Sequence, residues 1–451
     1  MAVRYKLGLR DAIVTIKDFL KKKQFMIWPL CVCRVRKRAQ TFNRAKWFHR
    51  LCILYNLKIT PSSYKNNAAI AIAVTSALGA TTLADDNDIN VFWKDGLRLE
   101  SSDGHNKLRV GGRIHWDNAL FADNEFGGEI AEDGDVFRRT RLYLSGQVQE
   151  RYDFKMQFDF AGGDADFKDV YFGIKDIPVF GNLRVGQFKE PLSLEELNSS
   201  NSISNIERAN VNRLVPSRSA GIMAYNNYAD SRITGAIGLF RGADDSYGNY
   251  KGDGYAATAR LSGLPYLNDD ASQLAHLAIG YSYRNDDTAT YKLASDHSMA
   301  PSWKYSVKDA DNTDVLGLEA ALKIGSFSVQ SEWVQADVDA PEGGKIDGYY
   351  IQVGYVLTGE SRSYDTNLGA FKGVSPSTKF MEDGGLGAWE AVLRWSNLDF
   401  SDLADNQEID TWTLGLNWYL NKNVRALFNY SNAYLDGDSV DVFATRFQFA
   451  F

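Results

Sequence analysis

Arg139 and Arg141 stand two residues apart and Arg109 and Arg113 four apart, spacings that put each pair on one side of an extended chain. A guanidinium is planar, stays charged at physiological pH and offers two parallel donors, a match for phosphate or carboxylate oxygens. The polar sides of later alternating segments add Lys155, Arg184, Arg232, Arg260, Lys323, Arg394 and Arg425, against Asp117, Asp153, Asp159, Asp169, Glu319, Glu332 and Glu390, so eleven cations face seven anions. The chemistry these residues can do is recognition of anions without covalent change. Histidines 49, 105, 115, 276 and 297 are scattered, and no Ser or Asp stands at a spacing that makes a triad recognisable, so no enzyme is expected. Cys31 and Cys33 lack a further Cys or clustered His to complete a metal or redox site, and no cofactor is expected. The acid clusters at 85–88 and 309–314 read as solvated loops.

Strands must position these side chains. Tyr152 to Ala161 sets Phe154, Met156, Phe158 and Phe160 against Asp153, Lys155, Gln157 and Asp159, and Trp412, Leu414, Leu416, Trp418 and Leu420 alternate with Thr413, Gly415, Asn417 and Tyr419. No water-exposed strand tolerates such a face, whereas lipid outside and water inside require it. The last strand carries Phe443, Thr445, Phe447, Phe449 and Phe451 on one side, as the closing strand of an outer-membrane barrel would; the edge strand of a soluble β-protein is the plainer reading. Segments of this kind begin near 108, 136, 152, 167, 182, 221, 231, 254, 274, 315, 327, 348, 389, 410, 424 and 440. The expectation is an all-β, sixteen-stranded antiparallel transmembrane barrel, wide enough for an aqueous channel, with short turns on one rim and longer loops on the other. By strict alternation Arg138 would face lipid beside Arg139, so it needs a bulge, a rim position or snorkelling.

The charge distribution divides the chain. Residues 1–65 carry sixteen Lys and Arg against Asp11 and Asp18, a net of +14; since the whole chain is −7, residues 66–451 carry −21. Lys65, the apolar run Ala68 to Leu78 and the small-residue site ending at Ala84 have the layout of a secretory signal peptide. The expected organisation is a basic extension over 1–64, from a mis-assigned start or a long basic n-region, a signal peptide over 65–84 and a barrel over 85–451. A nucleic-acid or inner-leaflet arm is the alternative for the extension, and no nucleic-acid partner is expected. No run of eighteen apolar residues follows Ala84, so strands and not helices would hold the apolar surface.

One connection is out of proportion. More than thirty residues between Gln187 and Gly221 lack strand alternation, and they carry Ser199, Ser200, Asn201, Arg208, Arg213 and Arg218. A loop of that length folded inward would narrow the pore.

The runs GGRIHWD (111–117), FRRTRLYLSG (137–146), FDFAGG (158–163), VGQFKEPLSLEEL with SSN and IER after it (185–208), HLAIGYSYR (276–284) and GYYIQVGYVLTGESRSY (348–364) resemble the phosphate-selective porin O and P family. The resemblance covers essentially Asp85 to Phe451. It implies a homotrimeric, sixteen-stranded porin in the outer membrane of a Gram-negative bacterium, in contact with outer-membrane lipid, that passes phosphate or other small anions through a pore constricted by an inward loop. By matching runs, the constriction cations fall on Arg113, Arg138, Arg139 and Arg208, with Ser199 and Ser200 as hydrogen-bond partners of the anion. Arg141 completes the expected anion-binding set, and Arg109, Lys155, Arg184 and Arg232 the expected lumen lining. The sequence departs from the phosphate-specific pattern at Glu196 and Asp365, where lysines are expected, and at Arg141, where an aromatic is. A general, weakly selective porin is therefore the alternative function, with a barrel enzyme or adhesin behind it.

Overall fold

The computed structural model describes residues 89–451 apart from 123, 124, 127, 128, 242–253, 404–406 and 436. The expected extension 1–64, the signal segment 65–84 and the acid cluster at 85–88 lie outside the described residues. Sixteen strands make the barrel: β1 Lys107–Ala122, β2 Gly134–Val148, β3 Tyr152–Asp159, β4 Asp166–Ile177, β5 Gly181–Lys189, β6 Arg218–Tyr228, β7 Ile233–Arg241, β8 Tyr255–Leu267, β9 Gln273–Asn285, β10 Asn312–Ile324, β11 Phe327–Asp339, β12 Gly344–Val356, β13 Ala388–Asp399, β14 Glu408–Tyr419, β15 Val424–Leu435 and β16 Asp438–Ala450. Each pairs antiparallel with the next, and β16 closes on β1 with Phe447 opposite Trp116 and Arg446 opposite Asp117.

The alternation in the sequence becomes an inside-out distribution of polarity. Along β14, Trp412 and Leu414 are 51% and 59% exposed while Thr413 and Asn417, on the alternate positions, are 2% and 0% exposed. That inversion makes sense where hydrocarbon lies outside and a polar, filled lumen inside. Near the rim opposite Phe451, outward indoles donate to carboxylates on the neighbouring strand: Trp116 to Asp135 (3.3 Å), Trp333 to Asp347 (3.2 Å) and Trp395 to Asp410 (3.2 Å). Each ring stays on the apolar face and its N–H is satisfied, as membrane-interface tryptophans require.

The rims depart from the simple expectation. Short turns such as 149–151, 325–326 and 420–423 lie on the rim that carries Phe451, but so does the long connection 357–387 between β12 and β13. Its hairpin, Arg362–Asp365 with Ala370–Val374, turns into the lumen. Arg260 donates to the carbonyls of Leu368 (3.3 Å) and Gly369 (2.9 Å), and Lys323 to that of Arg362 (2.9 Å). Gly369 has φ +62° and a Cβ there would stand 2.5 Å from Ser262 Oγ, so this close approach requires glycine. The opposite rim sends in 190–217 and also 286–311, which contains a second hairpin, Thr288–Ala294 with Ser302–Lys308. The single disproportionate connection read from sequence is thus one of three long inward segments among the described residues. The other two contain short strands of their own, so loss of alternation did not mark them.

A further hairpin, Ile89–Trp93 with Leu97–Ser101, lies outside the expected sixteen and pairs with β1 through Leu97–Glu100. It continues the wall where β16 ends: Phe451 exchanges backbone bonds with Gly112 (2.9 and 3.0 Å), and its ring stacks on Trp93 at 6.2 Å.

Candidate functional site

The inward segment 190–217 is seated by apolar side chains inside an otherwise polar lumen. Leu192, Leu194, Ile203 and Ile206 are fully buried, and Leu192, Val211 and Leu214 pack with Val315, Val334, Ile346 and Tyr350 of the wall. Each such burial contributes about 1.5–3 kcal/mol. The segment begins with one short helix, Leu194–Leu197, whose Ser193 cap accepts from Glu196 N (3.1 Å) at φ 74°. From β11, the Glu332 carboxylate accepts the N–H groups of Leu194 (2.9 Å) and Glu195 (2.7 Å). These bonds fix the helix start against the wall and satisfy donors that a helix leaves open. From the opposite side, Phe371 of the 362–374 hairpin donates its N–H to Asn198 Oδ1 at 2.7 Å, and its ring packs with Leu194 and Ala370. Two segments from opposite rims therefore meet beside Ser199 and Ser200.

The wall facing that junction is β1 to β8. Arg113 donates to Ser200 Oγ (2.7 Å) and approaches Ser199 Oγ (3.5 Å). Register pairs Arg113 with Arg141 and His115 with Arg139, and then skips a residue so that Trp116 meets Phe137. The skipped residue is Arg138, so a β-bulge turns it inward and the alternation problem disappears. Its guanidinium makes a fork to Glu207 of the inward segment at 2.7 and 3.2 Å. Arg139 reaches the same carboxylate at 3.5 Å, and Arg141 donates to Asp159 at 2.7 Å. Lys155 and Arg218 share Asp169 at 2.5 and 2.7 Å. Arg184 stacks over Tyr171 at 4.2 Å and Tyr225 at 5.0 Å, a cation held rigid by rings.

These groups border one cavity of about 530 Å³ lined by twelve lysines and arginines against the carboxylates of Asp169, Glu196 and Asp365. Of the sequence-derived set, Arg113, Arg138, Arg139, Arg141, Arg208, Ser199, Ser200, Lys155 and Arg184 lie on it. Arg109 and Arg232 do not: Arg109 donates to the Asp95 carbonyl and Arg232 to that of Leu267 (3.0 Å), both near the rim that carries Phe451. Arg208 borders the cavity but spends its donors on the segment itself, bonding the carbonyls of Glu195 (2.8 Å), Glu196 (3.2 Å) and Asn198 (2.9 Å). Arg425 similarly holds the Ile203 carbonyl at 2.9 Å. His276 is a bonded lumen residue between Glu319 (3.2 Å) and Tyr364 (2.7 Å).

The cations the sequence reading passed over are Lys168, Lys189 and Lys372, which line the cavity, and Arg446, which pairs with Asp117 at 2.6 Å. Arg446 had a signal, an inward charge between the aromatics of the last strand; the others had none. Glu196, which replaces an expected lysine, is matched by Arg208 and Lys189, both at 3.3 Å. Burial pushes its carboxyl up, but Arg208, Lys189 and Arg218 outweigh that and hold it at about 2. Several buried donors on the lining lack a partner, among them Arg113 Nε, Arg139 Nη1 and Arg184 Nε. Unpaired donors on desolvated guanidiniums are costly. Among the described residues no three His, Cys, Asp or Glu converge to hold a metal ion.

The profile of phosphate-selective porin O and P matches residues 108–451. Porin O of Pseudomonas aeruginosa is 28% identical over 444 residues, covering 85% of this chain and 98% of that protein. Among solved structures, an anion-selective porin from Comamonas acidovorans superposes with a TM-score of 0.50 at 14% identity, covering 77% of this chain and 100% of that one. The loop-deleted OmpT of Vibrio cholerae gives 0.52 at 12% identity with the same coverage. At these identities the two structures share the barrel fold.

Proposed function

This chain belongs to the phosphate-selective porin O and P family, an outer-membrane porin of a Gram-negative bacterium, and from that premise we propose that the cavity between the inward segments and β1–β8 is its anion filter. The observation that carries this is the lining of twelve cations to three carboxylates in a protein whose formal charge is −7. Anion pores select with such arrays, and guanidinium forks suit phosphate or polyphosphate. Arg113, Arg139 and Arg141 with Ser199 and Ser200 bind the passing anion; Arg138 and Arg208 shape the site, and Lys155 and Arg184 carry the charge toward the rim of Phe451. Passage is passive, with no covalent step and no cofactor. The working unit is a homotrimer, and the exported barrel starts near Asp85 behind its signal peptide.

A second reading, a general and weakly selective anion porin, is favoured by Glu196 and Asp365 on the inward segments and by the engagement of Arg208 with backbone carbonyls. Single-channel recording in planar bilayers with chloride, phosphate and a polyphosphate in turn separates the two. Phosphate that blocks chloride current at millimolar concentration or below supports the selective filter. Chloride current indifferent to phosphate supports the general porin, and cation-selective current ends both.

A further inference from the structure

The Glu207 carboxylate meets two of the arginines that line the cavity, Arg138 and Arg139. One oxygen lies 2.7 Å from Arg138 Nε and 3.0 Å from Arg446 Nη2, and the other 3.2 Å from Arg138 Nη2 and 3.5 Å from Arg139 Nη2. Three guanidiniums from β2 and β16 thus converge on one acid delivered by the inward segment. Its placement is set by backbone anchors: Arg394 holds the Glu207 carbonyl at 2.9 Å, Asn429 the Ile206 N–H at 3.2 Å and Arg446 the Ile206 carbonyl at 2.5 Å. Burial pushes the Glu207 carboxyl up, but Arg138, Arg139 and Arg446 outweigh that and hold it well below the usual carboxylate range, so it is ionised at neutral pH.

The charges nearby are not evenly matched. Arg446 is already met by Asp117, both bonds being 2.6 Å, and Arg138 is met by the fork to Glu207. Arg139 keeps one distant contact and an unpartnered Nη1, and Arg113 has an unpartnered Nε. Without Glu207, Arg138 and Arg139 would both turn their forks to the lumen beside Arg113. A multivalent anion held by three guanidiniums in a narrow, poorly hydrated site leaves slowly, and a channel needs binding weak enough for exit.

We propose that Glu207 is a specificity-determining residue, a resident carboxylate that occupies the arginine cluster of the filter and weakens its hold on a phosphate-like anion. This rests on the anion-channel reading above. It predicts the opposite sign from a structural role: a carboxylate that only orients the arginines would, on removal, lower anion affinity.

The test compares the wild-type porin, Glu207→Gln and Glu207→Asp in planar bilayers, with inorganic phosphate titrated against chloride current. Glu207→Gln should lower the half-blocking phosphate concentration about tenfold and lengthen the blocked dwell. Unchanged or weaker block in Glu207→Gln overturns the proposal. Should that variant fail to give the heat-modifiable band of an inserted barrel, Glu207→Asp decides. It keeps the charge but withdraws it by one methylene, so block should tighten about threefold, and block equal to or weaker than wild type overturns the proposal. A wild type whose chloride current phosphate does not block refutes instead the anion-channel reading on which the proposal stands.

Discussion

Two arginines on neighbouring strands, Arg139 on β2 and Arg109 on β1, differ in what they are free to do. Arg139 is 4% exposed, carries an unpartnered Nη1 and stands on the cavity, whereas Arg109 donates to a backbone carbonyl away from it. A unit charge at 4 Å is worth about 1 kcal/mol in bulk water and about 4 kcal/mol at the effective dielectric near a protein surface. Arg139→Ala should therefore raise the phosphate concentration that half-blocks chloride current by roughly tenfold or more and shift the reversal potential toward cations. Arg109→Ala should change either by less than about twofold; equal small effects would place selectivity in the diffuse charge of the whole lumen. Arg425 would make a poor control for these variants, because it holds the inward segment through Ile203.

The inward segment is positioned by elements more than by its own propensities. Its one α-helix is four residues long, too short to persist alone, and is held by Glu332 from the wall and by Phe371 from the opposite hairpin. That hairpin is bolted in turn by Arg260, which also forks Glu319 at 2.8 and 2.6 Å, and by the bond from Tyr364 to His276. Shortening the hairpin by removing residues 366–371 should leave the barrel inserted, because its sixteen ladders remain. It should enlarge single-channel conductance and weaken phosphate block, since Asn198 and the adjacent serines lose their buttress. Conductance and block both unchanged in such a variant would mean that Glu332 and the buried leucines suffice.

For the whole molecule, net charge and polarity point to export. The barrel wall is apolar outside and polar within, and the positive charge of the chain is concentrated before residue 66 and in the lumen. Among the described residues the acids divide between strands and connections, and Glu190, Glu195, Glu196 and Asp296 of the inward segments are buried rather than solvated. Mass analysis of the protein recovered from outer membranes should find a mature start at or close to Asp85. A start well before Ala68 would contradict the proposed cleavage.

Sequence alone determined the strands, because side chains alternate with a period of two and membrane and lumen punish any error in it. All sixteen barrel strands, the inward course of 190–217 and the bordering arginines 113, 139 and 141 were legible in that pattern. Arg138 was ambiguous, because alternation cannot place a bulge; only the pairing of Trp116 with Phe137 across the closed sheet turned it inward. Tertiary structure alone decided what depends on residues far apart in the chain. Phe371 meets Asn198 across 173 positions and Arg446 meets Glu207 across 239, and no local periodicity carries such information. The same holds for the charge state of the filter: the sequence supplies the arginines, but which of them stay free is settled by where a folded loop delivers its own carboxylates.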